Sequence, residues 1–557
     1  ITVQQYLRQD FWEQNQDRKK WIMNKDLSHW KRFLEWFCQS DGTGISLDIS
    51  RMGFDRSWWD SMQSSMAKAL VEMEKLESGA VANPDENRMV GHYWLRNPDI
   101  APNDQIREKI RENLNSLHHF SERVLNGRIK PPNAKRFSRL LLIGIGGSAL
   151  GPQLLYQALE GVPEKEKFLS GLETYFIDNT DPEGIDRIFK KMGDSLKETL
   201  VLVISKSGGT VETRNGMLET RNAFKSKNLN FARQAVAVTG EGSLLAQLAH
   251  TEEWLEVFPM WDWVGGRTSV TSAVGLLPAL LQGIDIDAFL EGARIMDGYT
   301  RNPDIRKNPA AMLALMWHHA GAGRGDRAMV VLPYRDRLDC LARYLQQLVM
   351  ESLGKEKDLM GKFVEQGLTV FGNKGSTDQH AYVQQLREGR SDFFATFIEV
   401  HEEGVEDSIE VEPGIHSGDF LQGFLLGTRE ALSEKKRPSL TLTLQRLNAK
   451  TLGSLIALFE RSVGLYAFLI GINAYHQPGV ETGKKAAAEI VALKINLFSI
   501  LENKPAQNFS VEELAHITDK QDSADLIFSL LESLRMNGRI KGTSEAAPGL
   551  RRYSAKS

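Results

Sequence analysis

A hydroxyl- and glycine-rich stretch that follows an apolar run is the first place where the sequence points to chemistry. Residues 200–204 are apolar and largely β-branched, which predicts a buried strand of a parallel sheet. Residues 205–210 (Ser-Lys-Ser-Gly-Gly-Thr) end this run, and helix-compatible residues follow. A helix start offers unpaired N–H groups and a partial positive charge. The stretch is therefore predicted to bind a phosphate through Ser205, Lys206, Ser207 and Thr210.

The alternative for this stretch is an ordinary strand–turn–helix junction with a Ser or Thr cap. The stretch lacks the spacing of a Walker loop or a dinucleotide fingerprint. A second glycine turn, residues 144–148, resembles that fingerprint superficially, but Ala149 stands where a third glycine would be needed. A nicotinamide cofactor is thus poorly supported. A turn that presents its N–H groups and Ser148 to a sugar phosphate is the better interpretation.

Arg267 and Glu351 are further positions whose side chains could do chemistry. Arg267 follows two glycines, which allow a fixed cation to approach a ligand closely, although a surface ion pair is the simpler reading. Glu351 has apolar flanks, so its carboxylate is predicted to be partly desolvated, with a raised pKa that suits a general base. Gln347 is one helical turn earlier and would share its face. A helix-surface glutamate is the alternative.

His380 and Lys484 are weaker signals when each is taken alone. His380 ends a loop that follows a predicted strand, where an imidazole could be exposed and titrate. A lone histidine is more often structural. Lys484 lies just after Gly479 and Gly483, which are unusual in a helical pattern and indicate a helix start or a close ligand approach.

The elements that must position these residues alternate between strands and helices from residue 139 onward. Strands are predicted at residues 140–145, 174–178, 200–204 and 234–239, spaced about 25–35 residues apart with helices between them, which implies parallel βαβ units. In such sheets ligands bind at the carboxyl ends of the strands, so one ligand could touch both glycine turns. Strands at 328–332, 368–371 and 393–400 predict a second doubly wound unit.

The flanking regions are predicted to be helical. Residues 1–117 have an amphipathic pattern in which Trp30, Phe33, Leu34 and Phe37 form one face, expected to lie in the core. Residues 451–503 form a long helical region, interrupted at 476–479. The tail from Phe509 is polar and helical. It is expected to be a packing or solvated extension, with a winged-helix-like unit as the alternative.

The composition is that of a soluble globular protein of two or three domains. The chain has 557 residues, 41% of them hydrophobic and 25% charged, with a net charge of −4. This balance does not favour nucleic acid or a membrane surface as a partner. Cys38 and Cys340 are the only cysteines, so a disulfide framework or a cysteine-based metal site is not indicated, and a reducing compartment fits. No apolar run reaches the roughly 18–20 residues of a spanning helix. Whether a leader preceded Ile1 is left open.

Taken together, the motifs resemble the glucose-6-phosphate isomerase family, in the form found in its cyanobacterial and plant-plastid branch. The segments that carry the resemblance follow the family's order and extend across most of the chain: residues 144–152, 204–210, 262–267, 346–355, 375–380 and 477–484. The departures are few. Leu353 and Pro478 stand where other branches have asparagine and tryptophan, and Ser207 lies in a turn that is threonine-rich elsewhere.

The resemblance implies an α/β fold with two doubly wound, mostly parallel sugar-isomerase domains and helical terminal segments. The expected boundaries are 1–118 for an N-terminal helical segment, 119–285 and 286–505 for the two domains, and 506–557 for a C-terminal extension. The implied activity is the interconversion of glucose 6-phosphate and fructose 6-phosphate through a cis-enediol. No metal or organic cofactor is implied, and the expected location is the cytoplasm or the plastid stroma.

The resemblance also implies a role for each residue. His380, aided by Lys484, would open the sugar ring, Glu351 would move the proton between C2 and C1, and Arg267 would stabilise the developing charge. The phosphate would lie in the 205–210 turn. The family's active unit is a homodimer in which the histidine reaches the partner's site, and Glu212 would orient His380 there. The residues expected to contact the sugar are Gly147, Ser148, Gln347 and Gln477.

Two other functions compete with this interpretation. A non-catalytic sugar-phosphate sensor on the same fold would keep the phosphate turn but would have no reason to keep Glu351, His380 and Lys484 together. A nicotinamide-dependent oxidoreductase would need the missing third glycine and an acidic partner for the ribose, and the sequence does not show them clearly.

Overall fold

The computed structural model describes residues 27–161, 171–404, 408–543 and 547–556. The chain divides into two units, Ile1–His476 and Gln477–Ser557. The finer domain boundaries expected from the sequence stay predictions.

Seventeen α-helices are present in the described residues. They are α1 (Ser28–Trp36), α2 (Arg56–Glu77), α3 (Asp104–Leu125), α4 (Gly147–Leu159), α5 (Pro182–Met192), α6 (Val211–Ser226), α7 (Leu244–Thr251), α8 (Ala273–Leu281), α9 (Ile286–Thr300), α10 (Pro309–Ala320), α11 (Leu341–Leu345), α12 (Val383–Glu388), α13 (Ser417–Glu434), α14 (Ala449–Ile470), α15 (Pro478–Asn503), α16 (Val511–Ile517) and α17 (Ala524–Met536).

Nineteen strands are present in the same residues. They are β1 (Phe37–Ser40), β2 (Ile45–Asp48), β3 (Val81–Asn83), β4 (Arg88–Met89), β5 (Arg139–Ile143), β6 (Glu173–Ile177), β7 (Thr199–Ser205), β8 (Ala235–Thr239), β9 (Glu256–Pro259), β10 (Ala328–Pro333), β11 (Lys355–Lys357), β12 (Phe363–Gln366), β13 (Val370–Phe371), β14 (Phe393–Val400), β15 (Glu410–Glu412), β16 (Ile415–His416), β17 (Ser439–Leu444), β18 (Ile540–Gly542) and β19 (Tyr553–Ala555).

The first large sheet has the order β6-β5-β7-β8-β9, and all its strands are parallel. All seven residues of β7 are buried, as expected for an apolar strand covered by helices on both faces. The strands predicted from the sequence overlap β5, β6, β7 and β8, so the doubly wound α/β prediction is confirmed for this sheet. The short edge strand β9 was not predicted.

The second large sheet has the order β1-β2-β17-β14-β10-β13. The strands β13, β10, β14 and β17 are parallel, whereas β2 runs antiparallel to β17, and β1 antiparallel to β2. The second predicted α/β unit is therefore confirmed, with an antiparallel edge that the sequence reading did not foresee. This edge comes from the N-terminal region that was expected to be helical.

The predicted aromatic face near the N-terminus was wrong in two respects. The helix α1 ends at Trp36, and Phe37 starts strand β1. Trp30 and Leu34 are 52% and 57% exposed and do not belong to the core. The four residues have helical spacing although a helix–strand boundary lies between Leu34 and Phe37. Periodicity alone does not mark where a short helix ends.

A network of charged side chains is buried among the helices of the first unit. Arg96 donates to Asp297 at 2.7 Å and to Glu460 at 2.5 Å, and all three side chains are at most 1% exposed. Arg461 pairs with Glu77 at 2.9 Å in the same region. Burial raises the pKa of Glu460 to about 7, while Arg96 opposes this shift. Removing one member of such a network leaves a buried charge without its partner, which lowers the stability of the fold.

One described helix, α14 (Ala449–Ile470), is long and apolar enough to span a membrane by composition. However, 83% of its most apolar window is buried inside the fold. It also carries Glu460 and Arg461 of the buried network, so its apolar surface is explained by the core.

The second unit combines helices with a hairpin. It consists of the helices α15, α16 and α17 and of the strands β18 and β19, which pair antiparallel. An apolar core of its own includes Leu497, Phe509, Ile527, Leu531 and Tyr553. The tail was expected to be helical, as a packing or solvated extension; the strand pair β18–β19, which contributes Ile540 and Tyr553 to this core, was not predicted.

We expect Arg96→Met to lower the free energy of unfolding by about 3–5 kcal/mol, because it leaves Asp297 and Glu460 buried without their partner. Urea unfolding followed by tryptophan fluorescence measures this effect. The control Arg111→Met removes an exposed pair with Glu108 and should cost about 0–1 kcal/mol. Equal effects of the two substitutions would contradict the account of the buried network.

Candidate functional site

Both glycine turns lie at the point where the strand order of the first sheet reverses. Strand β5 is flanked by β6 on one side and β7 on the other, with Ile143 paired to Ile177 and to Val203. The turns that follow β5 and β7 are therefore neighbours at the carboxyl edge of a parallel sheet. Ligands of doubly wound folds bind at this position.

The first turn packs directly against the segment that carries Arg267. A Cβ atom on Gly147 would lie 2.0 Å from the carbonyl oxygen of Gly266, so only glycine allows this approach. The Ser269 hydroxyl donates to the Gly266 carbonyl at 2.8 Å and lies 3.3 Å from the Gly147 carbonyl. Gly147 and Ser148, two of the expected sugar contacts, begin helix α4 at this place.

Glu351 ends a π-helical segment, Gln346–Glu351, that continues from α11. π-Helical turns are rare and are frequently found at functional sites. The amide nitrogen of Gln347 lies 3.0 Å from the position that a Cβ of Gly146 would occupy. The segment therefore brings Gln347 against the first glycine turn, while Glu351 lies four residues further along.

Arg267 joins this segment to the rest of the site. Its guanidinium lies 3.0 Å from the Glu351 carboxylate, with side-chain exposures of 7% and 24%. It also donates to the Ser352 hydroxyl at 2.9 Å and to the Ala474 carbonyl at 2.8 Å. Burial lowers the pKa of Arg267, and the nearby Glu351 opposes that shift. The surface ion pair considered for Arg267 does not describe this buried contact.

The second turn has the local structure of an anion site. Helix α6 begins at Val211 with Thr210 before it, and Gly208 has a φ of +68°, a left-handed conformation that favours glycine. The Ser205 hydroxyl lies 3.2 Å from that of Thr210. The Ser207 hydroxyl accepts from the N–H of Gly209 at 3.2 Å. The hydroxyls and N–H groups are thus gathered at a helix N-terminus.

Lys206 is directed differently from its expected role. Its ammonium group donates to the main-chain carbonyls of Asp262 and Val264, both at 3.0 Å. Burial lowers its pKa, with the Asp262 carboxylate opposing. Lys206 therefore ties the second turn to the 262–267 segment.

Lys355 is a member of the site that sequence reasoning missed. It is 6% exposed, and its ammonium group donates to the main-chain carbonyl of Glu351 at 2.8 Å. Burial, and then the positive charge of Arg267, lower its pKa to about 7. Its position four residues after Glu351, at the end of the 346–355 segment, could have drawn attention to it. However, the sequence does not show that this lysine is buried.

His380 and Glu212 are not joined to these residues. His380 ends the short 3-10 turn Thr377–His380 and is exposed. Within the described residues, no ion pair within 4.0 Å links it to Glu351. The turn is fixed by Asp378, which accepts from the N–H of Asn373 at 3.1 Å. Glu212 lies in the first turn of α6 and is partly buried.

Gln477 and Lys484 belong to the second unit. Gln477 precedes helix α15, and Lys484 is an exposed residue near the start of that helix. Pro478 occupies the first turn, where its missing N–H costs no hydrogen bond. The roles expected for these two residues stay predictions.

The described residues contain no group of three or more His, Cys, Asp or Glu side chains that could hold a metal ion. The groups that the structure places around Arg267 in the first unit are the Glu351 carboxylate, the ammonium groups of Lys206 and Lys355, and the hydroxyls and N–H groups of the second turn.

A family model described as phosphoglucose isomerase matches residues 60–497. A glucose-6-phosphate isomerase of Trichormus variabilis is 55% identical over 510 residues, covering 92% of this chain and 95% of the relative. One from Thermosynechococcus vestitus is 55% identical over 513 residues, covering 92% and 96%. Both organisms are cyanobacteria, as the resemblance to that branch predicted.

Solved structures agree with these sequence comparisons. A glucose-6-phosphate isomerase of Chlamydia trachomatis superposes with a TM-score of 0.74 at 28% identity, covering 83% of this chain and 91% of that one. A hypothetical protein of Thermus thermophilus gives a TM-score of 0.66 at 27% identity, covering 80% and 100%.

The contact between Gly147 and Gly266 gives a test of the assembled site. We expect Gly147→Ala to destabilise the protein by about 1–3 kcal/mol, because the added methyl group meets a backbone carbonyl that has no room to move aside. Urea unfolding measures the change. The control Gly298→Ala, inside helix α9 with open space around its Cβ position, should instead stabilise by about 0.5–1 kcal/mol. If Gly147→Ala left the free energy of unfolding unchanged, the first turn would not pack against the Gly266 backbone as described.

Proposed function

The chain belongs to the phosphoglucose isomerase family, and from that premise we propose how its residues act. The protein is a glucose-6-phosphate isomerase in activity: it interconverts D-glucose 6-phosphate and D-fructose 6-phosphate. A non-catalytic sensor and a nicotinamide-dependent oxidoreductase are thereby set aside. The observation that carries the proposed residue roles is the 3.0 Å ion pair between the buried Arg267 and the partly buried Glu351. The segment of Arg267 packs against the first of the two neighbouring glycine turns.

The phosphate binds in the turn formed by Ser205, Ser207 and Thr210, where hydroxyls and N–H groups converge at the start of α6. Lys206 contributes its charge to this turn, while its hydrogen bonds to the Asp262 and Val264 carbonyls hold the turn against the Arg267 segment. The sugar extends from the phosphate along residues that contact its hydroxyls: Gly147, Ser148, Gln347 and Gln477.

The substrate arrives mainly as a closed ring, which must open before its carbons can react. His380, aided by Lys484, moves a proton between the ring oxygen and O1. An imidazole suits this step because it gains and loses a proton near neutral pH.

Glu351 then performs the isomerisation. Its carboxylate takes the proton from C2, which leaves the cis-enediol as its anion. The hydroxyl proton passes from O2 to O1, and the carboxylate returns its proton to C1. Arg267 stabilises the negative charge that develops on the enediol oxygen, as a pre-placed cation can do in a site with little water. Loss of such a group typically lowers kcat by about 10²–10³-fold. One carboxylate moves the proton between adjacent carbons, so the steps need no metal or organic cofactor.

The active unit is a homodimer in which each site receives His380 of the partner subunit. This proposal is supported by the exposure of His380 and by the absence, within the described residues, of an ion pair between it and Glu351 of its own chain. Glu212 orients the imidazole across the interface. We further propose a cytoplasmic or plastid location, and the domain boundaries 118/119, 285/286 and 505/506.

Glu351→Gln should lower turnover by several orders of magnitude, because the amide is nearly the same size but cannot accept the C2 proton. A coupled assay for glucose 6-phosphate formation measures turnover, and binding of a phosphorylated inhibitor shows that the pocket is intact. The matched control is Glu356→Gln, an exposed glutamate five residues further along, which should leave turnover unchanged. Near-normal turnover in Glu351→Gln would remove this residue as the base.

Mixed dimers test where the histidine comes from. A Glu351→Gln chain and a His380→Ala chain are each expected to be inactive when they form homodimers. If His380 acts in the partner's site, a mixed dimer contains one doubly defective site and one intact site. Coexpression with two affinity tags isolates this species, and its turnover per dimer should be about half that of the wild type.

The two arrangements give clearly different results in this experiment. If each chain supplies its own histidine, both sites of the mixed dimer carry one defect, and the mixed dimer stays inactive. That outcome would overturn the shared site while leaving the role of Glu351 intact.

A further inference from the structure

The ammonium group of Lys355 is placed where it can act on the base through the main chain. Its hydrogen bond to the main-chain carbonyl of Glu351 holds the backbone of the last residue in the π-helical segment Gln346–Glu351. A cation at a helix C-terminus satisfies carbonyl groups and interacts favourably with the helix dipole. Lys355 therefore contacts the residue that carries the proposed proton transfer.

The ammonium group of Lys355 lies inside the fold, close to other charged residues of the site. The side chain is buried, and the residue begins strand β11, which pairs with β12. Four charged or titratable groups act on it: Glu351 from the π-helical segment, Arg267, Asp85, and His476. Arg267 disfavours its positive charge, and the two carboxylates favour it. The proposed mechanism leaves this buried lysine without a role.

We propose that Lys355 is a positioning residue for Glu351: its hydrogen bond holds the backbone of Glu351 in the π-helical turn, and its ammonium group places a positive charge beside that residue. This inference rests on the proposed role of Glu351 as the base. Lys355 itself does not touch the substrate in this account. It acts on the orientation and the electrostatic surroundings of another side chain.

The sign of the expected pH effect follows from the order of the titrations. Burial lowers the pKa of Lys355 to about 7, so the group is charged at the acid end of the activity profile. A cation near a carboxylate favours its ionised form. A neutral side chain at position 355 should therefore move the acid limb of kcat/KM toward higher pH. The substrate phosphate contributes equally to every variant, so differences between variants report the protein.

The test compares three substitutions in the full-length protein. Lys355→Met removes both the donor and the charge, and it should lower kcat at least tenfold, since small misplacements of a reacting group are costly. The KM for fructose 6-phosphate should stay within about twofold, because the phosphate turn is untouched. The acid limb should move up by about one pH unit. Lys355→Arg, which keeps a cation and donors, should restore kcat and return the limb.

Lys355→Gln separates the hydrogen bond from the charge and provides a second neutral variant if the Met variant does not fold. It should keep a kcat nearer to the wild type while showing the same displaced acid limb. The matched control is Lys357→Met, an exposed lysine on the same strand, which should change neither quantity.

An acid limb that does not move in a folded neutral variant would overturn the proposal, as would a failure of Lys355→Arg to restore kcat. These outcomes are distinct from failure of the proposed function. If Glu351→Gln keeps normal turnover, the base assignment and this inference fall together. If Glu351→Gln is inactive while the Lys355 variants behave as wild type, only the role of Lys355 is lost.

Discussion

A buried guanidinium group that must be paired organises the first unit of this protein. An arginine side chain that is 7% exposed cannot remain without partners, because desolvated charge is costly. Arg267 finds those partners in the Glu351 carboxylate, the Ser352 hydroxyl and the Ala474 carbonyl. These groups come from segments far apart in the chain. Satisfying one cation therefore draws the segments together, and the carboxylate that does the proposed chemistry is held as a consequence.

The first sheet and the helix α11 contribute different parts of this arrangement. The first supplies adjacent strand ends, so that the turns after β5 and β7 meet at the reversal of strand order. Gly147 then allows the first turn to approach the backbone of Gly266 without a side chain between them. The α11 helix leads into the π-helical segment that carries Gln347 and Glu351. Lys206 and Lys355 donate hydrogen bonds to main-chain carbonyls, Lys206 to that of Val264 and Lys355 to that of Glu351.

The sequence predicted those features that depend on local pattern. The apolar run 200–204 and its glycine-rich ending gave strand β7 and the start of α6, because burial and turn chemistry act over a few residues. The antiparallel edge β1–β2 was missed, since pairing with β17 is a contact between residues almost 400 positions apart. The burial of Lys355 and the turn of Lys206 toward carbonyls were missed for the same reason. A lysine is normally exposed, and only the tertiary fold shows that Lys355 is buried and Lys206 partly buried.

We propose that the phosphate turn and the Glu351 carboxylate act on the two ends of one hexose, with Arg267 beside the carboxylate. A crystal structure of the protein with fructose 6-phosphate tests this most directly. The account predicts the phosphate in the turn of Ser205, Ser207 and Thr210, and the Glu351 carboxylate about 3–3.5 Å from C1 and C2. A phosphate bound elsewhere, or a carboxylate that remains paired to Arg267 and out of reach of both carbons, would contradict it.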